Sequence, residues 1–219
     1  MIAAVDIKVL RVRLDVPEKS VIASAADVIR NGGVIVYPTE TLYGIGADAR
    51  NSAAVRKVIA AKRRQDARPI LVLADSIEMV QMLTAEIPQA AFALMKRFWP
   101  GPLTIVFKAA AGIPEEIAQG SGTIGIRIPD NTFCIELLKM CACPITSTSA
   151  NVSGEPAPRT VADIRRALGE GIDLYIDAGM LPESKPSTVI SIVEDPPKLI
   201  REGVISFEDV QTVLPRITR

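Results

Sequence analysis

Val34-Ile35-Val36-Tyr37 is an unbroken apolar run, mostly β-branched, and it ends at a proline. Such a run reads as a buried strand. Pro38, with no N–H for a ladder bond, stops it. Three polar side chains follow, Thr39, Glu40 and Thr41, then Leu42 and Tyr43, then glycines at 44 and 46 that permit close backbone approach or positive φ. The pattern predicts a strand followed by a loop. A loop at the end of a buried strand is where α/β proteins bind ligands. An ordinary strand-to-loop turn fits the same residues.

The rest of the chain supplies the setting. Lys8 to Leu14 alternates as a first strand. Ser20 is placed to cap a helix that ends at Gly32-Gly33, and Ser52 to cap one running to about Ala61. Ile70–Leu73, Leu103–Phe107, Thr123–Pro129, Pro144-Ile145, Leu174–Asp177 and Ser187–Val193 read as strands, with Leu199-Ile200 a short further one. Helices are predicted near Ile77–Leu83, Pro88–Phe98, Asn131–Met140, Thr160–Leu168 and 206–214. No repeat, low-complexity segment or linker interrupts the 219 residues. Strands and helices do not alternate strictly, so the expected fold is one α/β domain over 1–219 with a mixed, parallel and antiparallel, sheet.

Composition narrows the chemistry. There are no histidines, which excludes Ser-His-Asp and Cys-His nucleophilic mechanisms and Cys/His zinc sites. The three cysteines, Cys134, Cys141 and Cys143, make no disulfide framework and read as reduced thiols. Twenty-five basic residues balance 25 acidic ones, so the electrostatic footprint of a dedicated nucleic-acid or membrane-surface binder is lacking. No apolar run reaches the ~18 residues of a membrane span and no signal peptide is visible, so a cytoplasmic location is expected. Neither G-x-x-x-x-G-K-[ST] nor a helix-opening G-x-G-x-x-G occurs.

Three clusters carry candidate chemistry. Lys62-Arg63-Arg64 and Arg68 put four cations within seven residues at a predicted helix end. A solvated end that complements the helix dipole and an oxyanion clamp both fit them. Arg127 stands among apolar neighbours, where a charge is either paired or binds an anion. Thr146 to Gly154 is rich in hydroxyls and amides after a strand: a self-bonded loop or a donor-rich cradle for phosphate or carboxylate. Trp99, in the turn Trp99-Pro100-Gly101-Pro102, reads as a packing anchor.

Six motifs occur in a fixed order. They are Pro38-Thr39-Glu40-Thr41-Leu42-Tyr43-Gly44, Lys62-x-Arg64, Trp99-Pro100-Gly101-Pro102-Leu103-Thr104, Gly125-x-Arg127-x-Pro129, Ser147-Thr148-Ser149-Ala150-Asn151-x-Ser153-Gly154, and Ser187-Thr188-Val189-Ile190 with Arg201-Glu202-Gly203. In these the chain resembles the YrdC-type threonylcarbamoyl-AMP synthases of the YrdC/YciO superfamily, in their short form without an extra C-terminal domain. The resemblance covers roughly residues 20 to 203.

The resemblance implies a twisted mixed sheet flanked by helices around a concave, positive cavity. It also implies a nucleotidyltransferase that converts L-threonine, bicarbonate or CO2, and ATP into L-threonylcarbamoyl-AMP and pyrophosphate. Mg2+ would accompany ATP, and no protein metal site is implied. Downstream proteins would transfer the threonylcarbamoyl group to tRNA, and tRNA or double-stranded RNA is a further partner class. Carried over by motif, Lys62 and Arg64 would hold the triphosphate and act catalytically. Thr123, Ser149, Asn151 and Arg201 would complete the ATP site. Thr39, Thr41, Arg127, Ser147 and Ser187 would surround threonine. One departure stands out: Asn131 occupies the place of a histidine in the family's R-x-P-x-H. An asparagine there resembles the YciO branch, which gives the alternative of a nucleotide- or RNA-binding paralogue with little synthase activity.

Overall fold

The computed structural model describes residues 8–64 and 68–219. The first seven residues, on which the leader reading rests, and Gln65-Asp66-Ala67 of the basic run lie outside the described residues. Strand β1 (Lys8–Arg11) leads into helix α1 (Lys19–Arg30). Ser20 does not cap α1: Glu18 is the N-cap, without a side-chain bond, and Ser20 already lies in the first turn. Strand β2 (Ile35–Pro38) is the predicted buried run, and it takes in Pro38 as its last residue. The following residues correct the expected loop. Tyr43–Gly46 is strand β3, paired antiparallel with β2 from Ile35↔Gly46 to Pro38↔Tyr43. Proline is tolerated because it sits at the strand's end, beside the turn.

Helix α2 (Ser52–Ala61) is capped by Asn51, not Ser52; the Asn51 side chain accepts from the N–H groups of Ala53 and Ala54. Next come β4 (Leu71–Leu73), α3 (Ile77–Leu83), α4 (Gln89–Phe98), β5 (Leu103–Lys108) and α5 (Glu115–Ala118), a single turn that the sequence pattern did not signal. Then β6 (Thr123–Arg127) is followed by α6 (Thr132–Cys141), whose N-cap is Asn131. The two-residue strand β7 (Ile145–Thr146) is the strand expected from Pro144-Ile145, whereas β8 (Thr148–Ser149) stands where a loop was expected. Helix α7 (Val161–Leu168), strands β9 (Leu174–Asp177), β10 (Thr188–Ser191) and β11 (Lys198–Arg201), and helix α8 (Phe207–Val213) complete the chain.

The strands form two mixed sheets instead of one. Five strands run β1-β9-β2-β3-β8, and six run β11-β10-β5-β6-β4-β7. Helices α3, α4 and α8 cover one face of the larger sheet, packing Leu83, Leu94, Phe98 and Val210 against Ile105, Phe107, Ile124 and Ile126. Helices α1 and α6 cover one face of the smaller sheet through Ile22, Ile29, Phe133 and Leu137, and α2 and α7 cover the other through Val58 and Ile164. Each such side chain is worth roughly 1.5–3 kcal/mol when fully buried. Leu73 of β4 joins the α1–α6 core, so the inner face of the larger sheet is sealed at that end. Across β6 and β5 the inner face instead carries Thr123, Arg127 and Thr104, because successive side chains alternate between faces. Among the described residues no helix is long and apolar enough to cross a membrane. All three cysteines are buried and unbridged.

Candidate active site

The two sheets meet where the chain steps from one to the other. Ile145 and Thr146 pair with β4 of the larger sheet, whereas Thr148 and Ser149 pair with β3 of the smaller one. Ser147 is the step itself, its N–H given to Leu71 O at 2.7 Å. Tyr37 lies beneath, fully buried, with its hydroxyl donating to Thr146 O at 3.1 Å. Burial pushes the Tyr37 phenol far above its ordinary value. Gly46 of β3 makes room for this crossing. A Cβ on Gly46 would lie 2.6 Å from Tyr37 Cε1 and 2.8 Å from Ile145 Cγ2, and one on Gly44 would lie 3.4 Å from Ser147 Oγ. Neither glycine has positive φ, so close approach, and not turn geometry, requires Gly46, whereas a Cβ on Gly44 would make only ordinary contacts.

The β2–β3 turn is built around Thr39. Its Oγ1 accepts the N–H groups of Thr41 and Leu42, both at 3.2 Å, and donates to Leu42 O at 2.7 Å. Thr41 Oγ1 and Glu40 Oε1 then accept from one nitrogen, Arg127 Nη1, at 3.2 and 3.0 Å. Arg127 is 3% exposed and Thr41 6%, so the charge sits inside the protein and is paired there.

From Arg127 the site continues across the larger sheet. Thr104 of β5 shares a 2.9 Å hydrogen bond with Ser187, at the entrance to β10. Arg201 donates from Nε and Nη2 to Ser187 O, at 3.2 and 2.9 Å, and from Nη2 to Ser187 Oγ at 3.3 Å. Gly125 permits the close packing of β6 on β5: a Cβ there would lie 3.3 Å from Thr104 Cγ2. Arg201's basicity is lowered, first by burial and then by the charges of Arg127 and Arg68. The three guanidiniums therefore repel one another, which an anion near Arg201 would relieve.

The basic run and the polar loop meet on the other side. Lys62 caps the C-terminal end of α2, but it is not a solvated helix end, being 4% exposed. Its ammonium donates to Ser149 O, to Asn151 O at 2.9 Å and to Asn151 Oδ1 at 3.3 Å. Ser153 N–H returns a bond to Lys62 O at 3.0 Å. The Asn151 amide is committed to the loop, donating to Val152 O and Glu155 O at 2.9 and 2.6 Å. Arg64 closes its own segment, Nη2 donating to Arg68 O at 2.6 Å.

The predicted residues form three hydrogen-bonded groups: Thr39, Thr41 and Arg127; Ser187 and Arg201, with Thr104; and Lys62, Ser149 and Asn151. Gly44 of the hairpin pairs with Ser149, which joins the first and third. Thr123 is the outlier: it bonds Ser121 Oγ at 2.7 Å and lies four residues along β6 from Arg127, about 13 Å away. Sequence reasoning assigned no role to Glu40 or Thr104, although both stand inside the quoted motifs. Asn131, the departure from the family pattern, has a local task, its Oδ1 accepting from Cys134 N–H at 3.0 Å to cap α6. A separate groove of ≈ 400 Å³, between Lys57, Arg63, Glu170 and Asp173, is lined by none of these residues. Among the described residues no three of His, Cys, Asp and Glu gather to hold a metal.

Comparison with known proteins places this geometry. The Sua5/YciO/YrdC family model, described as telomere recombination, matches residues 27–203. Threonylcarbamoyl-AMP synthase of Pyrococcus abyssi is 37% identical over 193 residues, covering 88% of this chain and 57% of the relative. The chain thus spans little more than half that protein's length. The solved structure of P. abyssi Sua5 complexed with L-threonine superposes with a TM-score of 0.91 at 35% identity, over 96% of this chain and 62% of that one. E. coli YciO superposes with a TM-score of 0.85 at 29% identity, over 93% of this chain and 98% of that one.

Proposed function

Given that the chain belongs to the Sua5/YciO/YrdC family, we propose that it is a threonylcarbamoyl-AMP synthase. It is a cytoplasmic nucleotidyltransferase that condenses L-threonine, bicarbonate-derived CO2 and ATP into L-threonylcarbamoyl-AMP, releasing pyrophosphate. The observation that carries this reading is the likeness, over 96% of the chain, to a relative solved with L-threonine bound. The chain's own hydroxyl-rich hairpin and buried arginine stand in the part of the fold so matched.

The chemistry suits a site without histidine. Threonine's amine adds to CO2 to give a carbamate, and a carbamate oxygen attacks the α-phosphorus of ATP as pyrophosphate leaves. The step requires placement and charge neutralisation more than a covalent nucleophile. Arg127, Thr39, Thr41, Ser147 and Ser187 hold threonine on the seam between the sheets. Lys62 and Arg64 supply charge to the triphosphate, with Ser149, Asn151, Thr123 and Arg201 around the nucleotide. On this reading the seam is where the family's concave, positive cavity lies. Mg2+ enters as part of the ATP substrate, bound by its phosphates. The product is consumed by partner proteins that modify tRNA.

Asn131 caps α6 under the synthase reading and the YciO-like alternative alike, so activity decides between them. The test is pyrophosphate release from ATP with bicarbonate, with and without L-threonine, and with L-serine as control. Threonine-dependent release is expected. Folded, ATP-binding protein that releases none would overturn the assignment.

A further inference from the structure

The Glu40–Arg127 ion pair is incomplete. Arg127 Nη1 lies 3.0 Å from Glu40 Oε1, with side chains 4% and 17% exposed. Glu40 Oε2 and Arg127 Nε are both shut away from solvent, and neither has a hydrogen-bond partner. A forked guanidinium–carboxylate pair would use two oxygens and two nitrogens. Here one anionic acceptor and one cationic donor are left over on the two members of one ion pair. Buried polar atoms in this condition are costly unless something completes them.

What would complete them is a molecule with a cationic donor and an anionic acceptor close together. An α-amino acid zwitterion carries both on one carbon. We propose that Glu40 recognises the α-ammonium group of the substrate, Oε2 accepting its N–H, while Arg127 takes the α-carboxylate. This rests on the proposed threonine-dependent reaction and adds to it the residue that selects an amine. Thr39, Thr41, Ser147 and Ser187 are neutral, and Arg127 and Arg201 repel a cation, which leaves Glu40 as the carboxylate among these described residues. The amine it holds is the atom that becomes the carbamate nitrogen, so its placement sets the geometry of the first bond formed.

The test is calorimetric binding of L-threonine and of 3-hydroxybutanoate, which keeps the carboxylate, hydroxyl and methyl but lacks the amine. Glu40→Gln should weaken L-threonine about tenfold or more and leave 3-hydroxybutanoate within about twofold, as expected for loss of one charged hydrogen bond. A residue that merely steadies Arg127 would weaken both ligands together. Equal loss, or no loss, overturns the proposal while leaving the synthase reading in place. If Glu40→Gln does not fold, Glu40→Asp keeps the charge beside Arg127 and withdraws it by one methylene. The same selective loss is expected there, and an unselective one refutes it. Wild-type protein that binds neither ligand contradicts the synthase reading and this proposal with it.

Discussion

At Gly203 one absent methyl group decides the shape of the site. A Cβ there would lie 2.1 Å from Pro186 O and 2.6 Å from Ser187 C. The Gly203 N–H goes to Thr188 Oγ1 at 3.0 Å, which pins the turn that follows Arg201. Gly203→Ala is expected to cost about 1–3 kcal/mol in urea unfolding and to weaken ATP binding by displacing Arg201. Lys62 and Arg64 carry the proposed chemistry. Lys62→Ala and Arg64→Ala should each lower threonine-dependent pyrophosphate release by about 10² or more, in protein whose far-ultraviolet circular dichroism is unchanged. Near-normal rates in both variants would make the basic run a helix end and nothing more. Residue types at these places were legible in the sequence, but their partners were not. Lys62 meets Asn151 across 89 positions, and Arg127 meets Glu40 across 87. No local pattern encodes such pairings, which is why Glu40 was quoted within a motif and given no role.

Among the elements, β3 and the α6 cap are instructive in opposite ways. Strand β3 was hidden because two of its four residues are glycine, which local preference assigns to turns. Packing decided otherwise: Tyr37 and Ile145 come so close to Gly46 that only a residue without Cβ can pass, and the strand pairs along its whole length with β2. The cap of α6 was legible, since Asn before an apolar periodic stretch is a start signal. Asn131→Ala should cost about 1 kcal/mol of stability, as cap removal does. Its catalytic rate should stay close to wild type, measured by pyrophosphate release beside a chemical melt. A collapse of activity without loss of stability would show that Asn131 acts in the site. Helix α5, one turn long, left no periodic signal to read.

For the molecule as a whole, the mixed α/β architecture was legible from strand and helix spacing, but the division into two sheets was not. The division depends on Ser147 carrying the chain between partners distant in sequence, and it is this crossing that brings hairpin, polar loop and arginines together. The core that holds the crossing includes all three tyrosines of the chain. Burial pushes Tyr43 and Tyr175 up to about 12, and Tyr37 higher. Because the folded values lie above the unfolded one, their stabilisation is complete below pH 10 and is lost as pH rises from about 10 towards 12. Absorbance at 295 nm should therefore show little tyrosinate near pH 10 and a rise that coincides with unfolding. Ordinary ionisation in folded protein would contradict the burial described.

The central claim is that this seam joins threonine, CO2 and ATP. Its most direct measurement follows carbon-labelled bicarbonate, supplied with ATP and L-threonine, into nucleotide product resolved by chromatography and mass. The account predicts one labelled carbonyl in an adenylate that also contains threonine, formed in step with pyrophosphate. Pyrophosphate released without labelled adenylate, or a labelled product formed equally well without threonine, would contradict it.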